Sequence, residues 1–226
     1  MSQSLKNICS SKLSKNDLEL ANKWDIPYTT PGEFCMEKEG CKNLYIAATY
    51  GHLECIKSLM KTSVNITDAS ICSNASRGGN LKCLKYLHEN KVPLNRYCSS
   101  YAALNGHLDC LEYCHKNGIS LCDYTLKSAT RNGQSKCVKY LVENNCPTAP
   151  LLCRLASESG NLKSLKYLHK SGNLIDKFCL RYAARNGNIE CVRYLGENKC
   201  PIDSYSLRYA KDNNNLECVA YLESIN

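Results

Sequence analysis

Glycine recurs along this chain at an almost constant spacing, and that spacing restricts the fold more than any other feature. Successive glycines stand 28, 27, 27, 27 and 27 residues apart, at Gly51, Gly79, Gly106, Gly133, Gly160 and Gly187. A period of this size is typical of repeat proteins, in which each unit buries its apolar face only against its neighbours. The spacing therefore predicts an elongated array, and we expect its function to lie on a long repeated surface.

Three other residue types keep the same register. Alanine stands four residues before each glycine, and the same step leads to Ala210, where Asn214 replaces the glycine. Cysteine stands four residues after the glycine position in six units of seven, with Ser164 as the exception, and an aliphatic residue always follows it. Tyrosine comes three residues after the cysteine in six units, with Ser58 as the exception. The register defines seven units, at 41–67, 68–94, 95–121, 122–148, 149–175, 176–202 and 203–226.

The sixth unit shows how one period is expected to fold. Asp176 is a suitable N-cap, because its carboxylate can accept a bond from a free backbone N–H at the start of a helix. Gly187 would end this first helix, since glycine adopts the left-handed conformation that many helix ends require. Asn188 is predicted to cap the second helix, and Pro201 prevents that helix from continuing past the loop. Each unit is thus a helix, a tight turn, a helix and a short loop, and the predicted fold class is all-α.

The ends of the chain depart from this pattern. In the last unit the polar run from Lys211 to Asn214 replaces small residues and glycine, which predicts a C-terminal cap facing solvent. Residues 16–40 are predicted to hold an N-terminal capping helix followed by an insertion. Residues 1–15, which are rich in serine and lysine, are predicted to be disordered.

Apolar runs in this sequence are too short for a membrane span or a secretory signal. No stretch of about 18 consecutive apolar residues occurs, so no transmembrane helix is expected. The N-terminal segment has no apolar core of the kind that a signal peptide needs. The sequence predicts a cytoplasmic protein.

The 17 cysteines would suggest a disulfide framework if they were not in register. Stacked helices lie about 8–10 Å apart, whereas a disulfide needs Cα atoms within about 7 Å, so neighbouring register cysteines cannot pair without distortion. An odd number of cysteines and the absence of a signal peptide also favour a reducing compartment. We expect these thiols to be small buried apolar groups.

Two strings in the chain resemble the central part of an ankyrin repeat: AALNGHLDCLEYCHKNG at 102–118 and AARNGNIECVRYLGENKCP at 183–201. Both contain a pair of small residues, then Asn-Gly, then a second helix rich in branched aliphatic residues. The resemblance covers residues 41–226. The short unit, with cysteine before the aliphatic residue, Tyr-Leu and a Cys-Pro loop, looks most like the ankyrin-type proteins of giant DNA viruses of amoebae.

The resemblance implies an ankyrin-type helix-turn-helix solenoid with short loops and little or no β-hairpin. Ordinary ankyrin units have about 33 residues, and the missing ones fall in the connection that forms the hairpin. The resemblance further implies a non-enzymatic scaffold for protein–protein interaction. We expect this scaffold to be a monomer, and to engage a host factor in the cytoplasm if the source is viral. With the hairpin short, the exposed face of the first helices becomes the expected binding surface.

Two positions of the first helix vary from unit to unit, while the register residues stay nearly constant. In ankyrin-like stacking, the residues five and two before the glycine lie on the concave side of the first helix. Tyrosine and arginine are the side chains most often found at binding hot spots. The predicted partner-binding residues are therefore Tyr101, Arg131, Tyr182, Arg185 and Tyr209. The alternative is an ordinary solvated face.

A basic side chain also recurs six residues before the glycine position, at Lys127, Arg154, Arg181 and Arg208. A spacing of four residues on a helix allows an ion pair, which is predicted for Arg154 with Glu158 and for Arg208 with Asp212. Lys127 and Arg181 stand four residues before Arg131 and Arg185, so each forms a like-charged pair. Such pairs favour an acidic partner.

A net charge of +8 makes nucleic acid the alternative partner, because backbone phosphates bind any extended basic stripe. The second helices add three lysine pairs, which are also explained by a solvated face: Lys82 with Lys85, Lys136 with Lys139, and Lys163 with Lys166. Acidic residues are interleaved throughout, so a protein partner is the preferred interpretation.

Catalytic and cofactor motifs are absent from the sequence. There is no phosphate-binding glycine loop and no nucleophile elbow, so the chain is predicted not to be an enzyme. His107, Cys110 and Cys114 share one helix face and form a weak metal candidate. Because both cysteines fall on the packing register and no Cys-x-x-Cys pair exists, no metal or cofactor is predicted.

Overall fold

The structure is a computed structural model that describes residues 41, 43–62, 66–148 and 151–225. Seven helix pairs lie in these ranges: α1 Leu44–Tyr50, α2 Leu53–Thr62, α3 Ser70–Arg77, α4 Leu81–Glu89, α5 Arg96–Asn105, α6 Leu108–Lys116, α7 Asp123–Arg131, α8 Ser135–Glu143, α9 Leu152–Glu158, α10 Leu162–Lys170, α11 Lys177–Arg185, α12 Ile189–Glu197, α13 Ser204–Asp212 and α14 Leu216–Ser224. No strand occurs in the same ranges, and the predicted all-α fold is confirmed. The predictions for residues 1–15 and 16–40 lie outside the described residues.

The helices form two layers. The odd-numbered first helices pack on one another, and the even-numbered second helices do the same behind them. At every junction but the one between the pairs α7/α8 and α9/α10, the first helices contact each other more extensively than the second helices do. Fully buried alanines such as Ala102 and Ala183 allow this close approach. The first-helix layer is therefore the more closely packed of the two.

The core consists of the register residues. On the second helices, the aliphatic residue that follows the cysteine position is fully buried in six consecutive units: Ile56, Leu84, Leu111, Val138, Leu165 and Val192. The cysteines beside them are buried as well, apart from the partly buried Cys55, and all fifteen cysteines of the described residues are free thiols. Burial raises the pKa of the Cys137 and Cys191 thiols to about 11. At these positions the thiol acts as a small apolar side chain.

The start of α11 follows the predicted capping. The side chain of Asp176 accepts hydrogen bonds from the backbone N–H groups of Phe178 and Cys179, at 3.1 and 3.2 Å. The helix ends at Arg185, and Gly187 follows with a φ of 72°, in the left-handed region. The predicted N-cap and C-terminal turn of this helix are confirmed.

The role predicted for Asn188 is wrong. It occupies the N-cap position of α12, but its side chain makes no capping hydrogen bond. Its Nδ2 instead donates to the carbonyl oxygens of Ser157 and Glu158 in the preceding unit, at 2.8 and 3.1 Å. Carbonyls at the end of a helix have no partner within that helix, and the side-chain amide of the next unit supplies one.

We call this contact the amide bridge: a donor side chain directly after the glycine position bonds the last carbonyls of the preceding first helix. Asn80 and Asn215 form it as Asn188 does, each with two carbonyl oxygens at 2.7 to 2.9 Å. At the same position, His107 Nε2 lies 3.1 Å from the carbonyl oxygen of Arg77, and Gln134 Nε2 donates to that of Leu104 at 3.4 Å. Successive units are thus joined by polar bonds as well as by apolar packing.

The amide bridge also explains the glycine register. Gly106 has a φ of +80°, and a Cβ on it would lie 2.3 Å from Oε1 of Gln134 in the next unit. Glycine is required there both by the backbone conformation and by the neighbouring side chain. Asn214 takes the equivalent place in the last unit with a φ of 56°. Asparagine tolerates this conformation, and no further unit packs on it within the described ranges.

Candidate binding surface

The predicted binding residues all lie on first helices. Arg131 and Arg185 are exposed at the ends of α7 and α11, and Tyr101 on α5 is 37% exposed. Tyr182 and Tyr209 are half-buried on α11 and α13. These side chains belong to helices that stack side by side, so they share one side of the solenoid.

The five units from α5 to α13 each contribute three positions to this side, at nine, five and two residues before the glycine position, with Leu151 directly before α9 and the other positions within the first helices. Residues separated by four and then three positions lie on one helix face. We call the resulting surface the inner face, and it consists of Tyr97, Tyr101 and Leu104; Tyr124, Ser128 and Arg131; Leu151, Leu155 and Glu158; Phe178, Tyr182 and Arg185; and Tyr205, Tyr209 and Asp212.

The row nine residues before the glycine is an exposed part of this face that the sequence analysis missed. Tyr97, Tyr124, Leu151 and Tyr205 are between 45% and 59% exposed. The Tyr97 ring stacks on that of Tyr101, with centroids 6.1 Å apart. The signal was present in the sequence, since large apolar residues keep the same 27-residue register at this position. We call this row the aromatic edge.

Arginine side chains lie between the rings of the aromatic edge. The guanidinium carbon of Arg181 lies 4.9 Å from the ring centroid of Phe178 and 4.6 Å from that of Tyr205. The corresponding atom of Arg154 lies 4.4 Å from the Phe178 ring. Such contacts are favourable because the faces of aromatic rings carry negative potential.

Both of these arginines form ion pairs with the next unit. Arg154 Nε donates to Asp176 at 2.8 Å, and Arg181 Nε donates to Asp203 at 2.9 Å. The predicted pair of Arg154 with Glu158 is therefore wrong. Asp176 and Phe178 both lie at the start of α11. Arg154 in a single rotamer therefore contacts the carboxylate and the ring at the same time.

The predicted like-charged pairs also have a different environment. Lys127 forms an ion pair with Asp123 at 2.9 Å, and Arg181 forms one with Asp203. Both cations therefore have a carboxylate partner. The predicted pair of Arg208 with Asp212 is present at 3.5 Å. Each member of the basic row is thus compensated, whereas Arg131 and Arg185 have no ion pair with the described part of the chain.

The metal candidate does not form a ligand set. Cys110 and Cys114 are fully buried, and Cys114 packs against Ser76 with sulfur and oxygen 4.0 Å apart. His107 Nε2 lies 3.1 Å from the carbonyl oxygen of Arg77. Within the described residues no group of three potential ligands could hold a metal ion.

The lysines of the second helices lie over tyrosine rings of the following unit. Lys139 Nζ is 5.8 Å from the centroid of Tyr167, and Lys166 Nζ is 5.4 Å from that of Tyr194. These contacts give the lysine pairs a part in packing. Among the described helices, none combines the length and the apolar character needed to cross a membrane.

Comparison with known proteins agrees with this architecture. The crystal structure of the human ASB11 ankyrin repeat domain is similar with a TM-score of 0.60 and 22% identity, covering 71% of this chain and 85% of that one. At this identity the likeness shows the fold alone. No curated protein matches the chain. A family model described as ankyrin repeats (three copies) matches residues 71–149 and 152–225, which is more than half of the sequence, and the chain therefore belongs to the ankyrin repeat family.

Proposed function

We propose that this chain is a protein-binding scaffold that holds its partner on the inner face. Ankyrin repeats generally mediate protein–protein interaction, and their fold is generally a non-enzymatic scaffold. The observation that carries the proposal is the inner face itself, where five successive first helices present exposed aromatic and charged side chains on a buried, regular frame. Large aromatic residues and arginine dominate the energetics of protein interfaces.

Within this face, Tyr101, Arg131, Tyr182, Arg185 and Tyr209 are proposed to contact the partner. Arg131 and Arg185 are exposed and form no ion pair with the described residues. An acidic partner would complement them, which supports the expectation drawn from charge. Steering by opposite charge also raises the rate of association.

We further propose that the chain is a viral protein that acts as a monomer on a host factor in the cytoplasm. The support is the resemblance of its 27-residue units, with their cysteine register and Cys-Pro loops, to the ankyrin-type proteins of giant DNA viruses of amoebae. The free thiols of the described residues agree with a reducing compartment.

Nucleic-acid binding is the second candidate, and the exposed lysines Lys136 and Lys163 of α8 and α10 favour it. The ion pairs of the basic row weaken it, because those four cations are already compensated. Filter binding to random RNA and DNA decides between the candidates. Binding that falls steeply with salt would support the second one.

Affinity capture with matched variants tests the preferred function. The inner-face variant carries Tyr182→Ala, Arg185→Ala and Tyr209→Ala, and the control carries Lys136→Ala, Lys163→Ala and Glu190→Ala on the second helices. We expect the inner-face variant to lose proteins that the wild type and the control both retain. Equal capture by all three, with unfolding transitions that show each to be folded, would exclude the inner face as the binding surface.

A further inference from the structure

The second helices carry one concentrated positive surface, on the layer opposite the inner face. We propose that this surface binds a compact small molecule that carries several phosphate groups. We call it the lysine patch, and it consists of five exposed cations on α8, α10 and α12: Lys136, Lys139, Lys163, Lys166 and Arg193. The proposal concerns a second site and does not depend on the partner of the inner face.

The repeat register brings these cations together. Lys136 and Lys163 stand three residues after the glycine position, and Lys139, Lys166 and Arg193 stand six residues after it. Residues three positions apart are neighbours on a helix surface, with Cβ atoms about 5–6 Å apart, and stacked helices lie about 8–10 Å apart. The Cβ atoms of the four lysines therefore outline an area of about 6 by 10 Å. Their long, flexible side chains can converge on one ligand over this area.

Carboxylates are scarce within the lysine patch. Helix α10 contains no acidic residue, and α8 contains only Glu143, which lies 3.7 Å from Lys139. The other four cations have no ion pair with the part of the chain that the structure describes. Neighbouring charges of the same sign repel one another, and a bound anion would relieve this repulsion. The lysine patch is thus uncompensated, whereas the basic row of the first helices is compensated.

Carboxylates at both edges limit the size of the ligand. Asp109 and Glu112 hold the register positions of the patch on α6, and Glu190 holds one of them on α12. A nucleic acid strand that ran along the second helices, or a flat anionic membrane, would meet these carboxylates as well as the lysines. A ligand no wider than the patch avoids them. Lys139 also lies over the Tyr167 ring, which leaves that ring face closed to stacking by a base.

Lysine side chains and phosphate groups suit each other at this site. Lysine carries a compact charge with three hydrogen-bond donors, and it is a frequent ligand of phosphate groups. A phosphate monoester carries a charge of about −1.5 to −2 at pH 7, whereas a carboxylate carries a single charge. A small molecule with several phosphates therefore supplies enough negative charge for the whole patch within about 10 Å. A carboxylate ligand of the same size does not.

Titration of the full chain with inositol hexakisphosphate, followed by isothermal titration calorimetry, tests the proposal. We expect one molecule of this probe to bind per chain, with an affinity that falls as the salt concentration is raised. The variant with Lys163→Gln and Lys166→Gln should bind the probe at least about tenfold more weakly. Absence of binding to the wild type, or unchanged affinity in this variant, would overturn the inference.

The lysine pair of α4 provides the matched control. Lys82 and Lys85 have the same spacing and lie outside the patch. Lys85 Nζ lies 5.8 Å from the ring centroid of Tyr113, as Lys166 Nζ lies 5.4 Å from that of Tyr194. The variant with Lys82→Gln and Lys85→Gln therefore changes the net charge and the ring contacts equally, and it should bind as the wild type does. Equal weakening in both variants would show non-specific attraction and overturn the inference.

Random single-stranded RNA and phosphatidylserine vesicles are the competing ligands. At the same salt concentration, the wild type should bind both more weakly than it binds inositol hexakisphosphate. Tighter binding of either one, lost in the variant with Lys163→Gln and Lys166→Gln, would show that the patch takes an extended polyanion and would overturn the inference. The inner-face variant should keep the wild-type affinity for inositol hexakisphosphate, so failure of the proposed function leaves this inference standing.

Discussion

The side chain of Arg181 donates from Nε to the carboxylate of Asp203 at 2.9 Å, across the junction between two repeats. The same carboxylate accepts a hydrogen bond from the backbone N–H of Ser206 at 3.2 Å and thereby caps α13. One aspartate therefore starts its own helix and fixes the preceding one. Arg154 and Asp176 have the same relationship one repeat earlier.

Substitution of Asp203 separates these two roles. Asp203→Asn keeps a capping oxygen and loses the ion pair, which we expect to lower the free energy of unfolding by about 1 kcal/mol. Asp203→Ala also loses the cap and should cost about 1 kcal/mol more. Urea unfolding measures both values. Equal losses for the two variants would contradict the capping role.

The stability contributed by Asp203 should depend on pH. The Arg181 guanidinium lowers the pKa of this carboxyl below its ordinary value, and the backbone N–H of Ser206 lowers it further. Because the folded pKa is the lower one, the contribution is present above the unfolded pKa of about 3.9 and is lost as the pH falls through the folded pKa. The difference in unfolding free energy between wild type and Asp203→Asn should therefore be constant from about pH 5 to 7 and shrink below about pH 4. A difference that grows on acidification would contradict this assignment.

The register predicted the helix pairs and the cap at Asp176, because these depend on residues close together in one unit. It assigned the wrong partners to Asn188 and Arg154, whose contacts cross to the neighbouring unit. Spacing along one helix states which side chains share a face, but the offset between stacked helices sets which groups meet across a junction. The aromatic edge was missed for a related reason, since Tyr97 and Tyr124 lie close to the loops, where helix start and orientation are hardest to assign.

Ser164 is the exception in the cysteine register, and the structure shows its disadvantage. Its hydroxyl group is fully buried and has no hydrogen-bond partner among the described residues. Ser164→Cys should raise the free energy of unfolding by about 1 to 2 kcal/mol, since a thiol is more readily buried than an unpaired hydroxyl. The reverse change Cys137→Ser, in the preceding repeat, is the control and should lower stability. A destabilised Ser164→Cys protein would refute this account.

Two glycines with positive φ differ in their surroundings. A Cβ on Gly172, where φ is +91°, would meet no atom within 4 Å, whereas one on Gly106 would collide with the Gln134 side chain. Gly172→Ala should cost about 1 to 2 kcal/mol through backbone strain alone, and Gly106→Ala should cost more. Thermal unfolding of both variants checks the order. Adding Gln134→Ala to Gly106→Ala should recover part of the extra loss, and strictly additive effects would argue against the collision.

The buried thiols of Cys137 and Cys191 should be unreactive in the folded protein. Burial raises the pKa of Cys137 and Cys191 to about 11, so little thiolate is present at about pH 8. After brief alkylation, peptide mass spectrometry should find both residues unmodified in native protein and modified in denaturant. Cys122, which is partly exposed, is the internal reference. Rapid native modification of Cys137 would show that this part of the stack opens readily.

The amide bridge gives the stack a direction. The last carbonyls of α9 are bonded by Asn188, and those of α11 by Asn215, so these two helices are completed only when the following repeat has docked. Loss of a repeat therefore exposes unbonded groups in its predecessor, and unravelling should advance from the open end one step at a time. A partner that contacts several first helices would oppose several of these steps at once, so partner occupancy and long-range order along the stack would increase together.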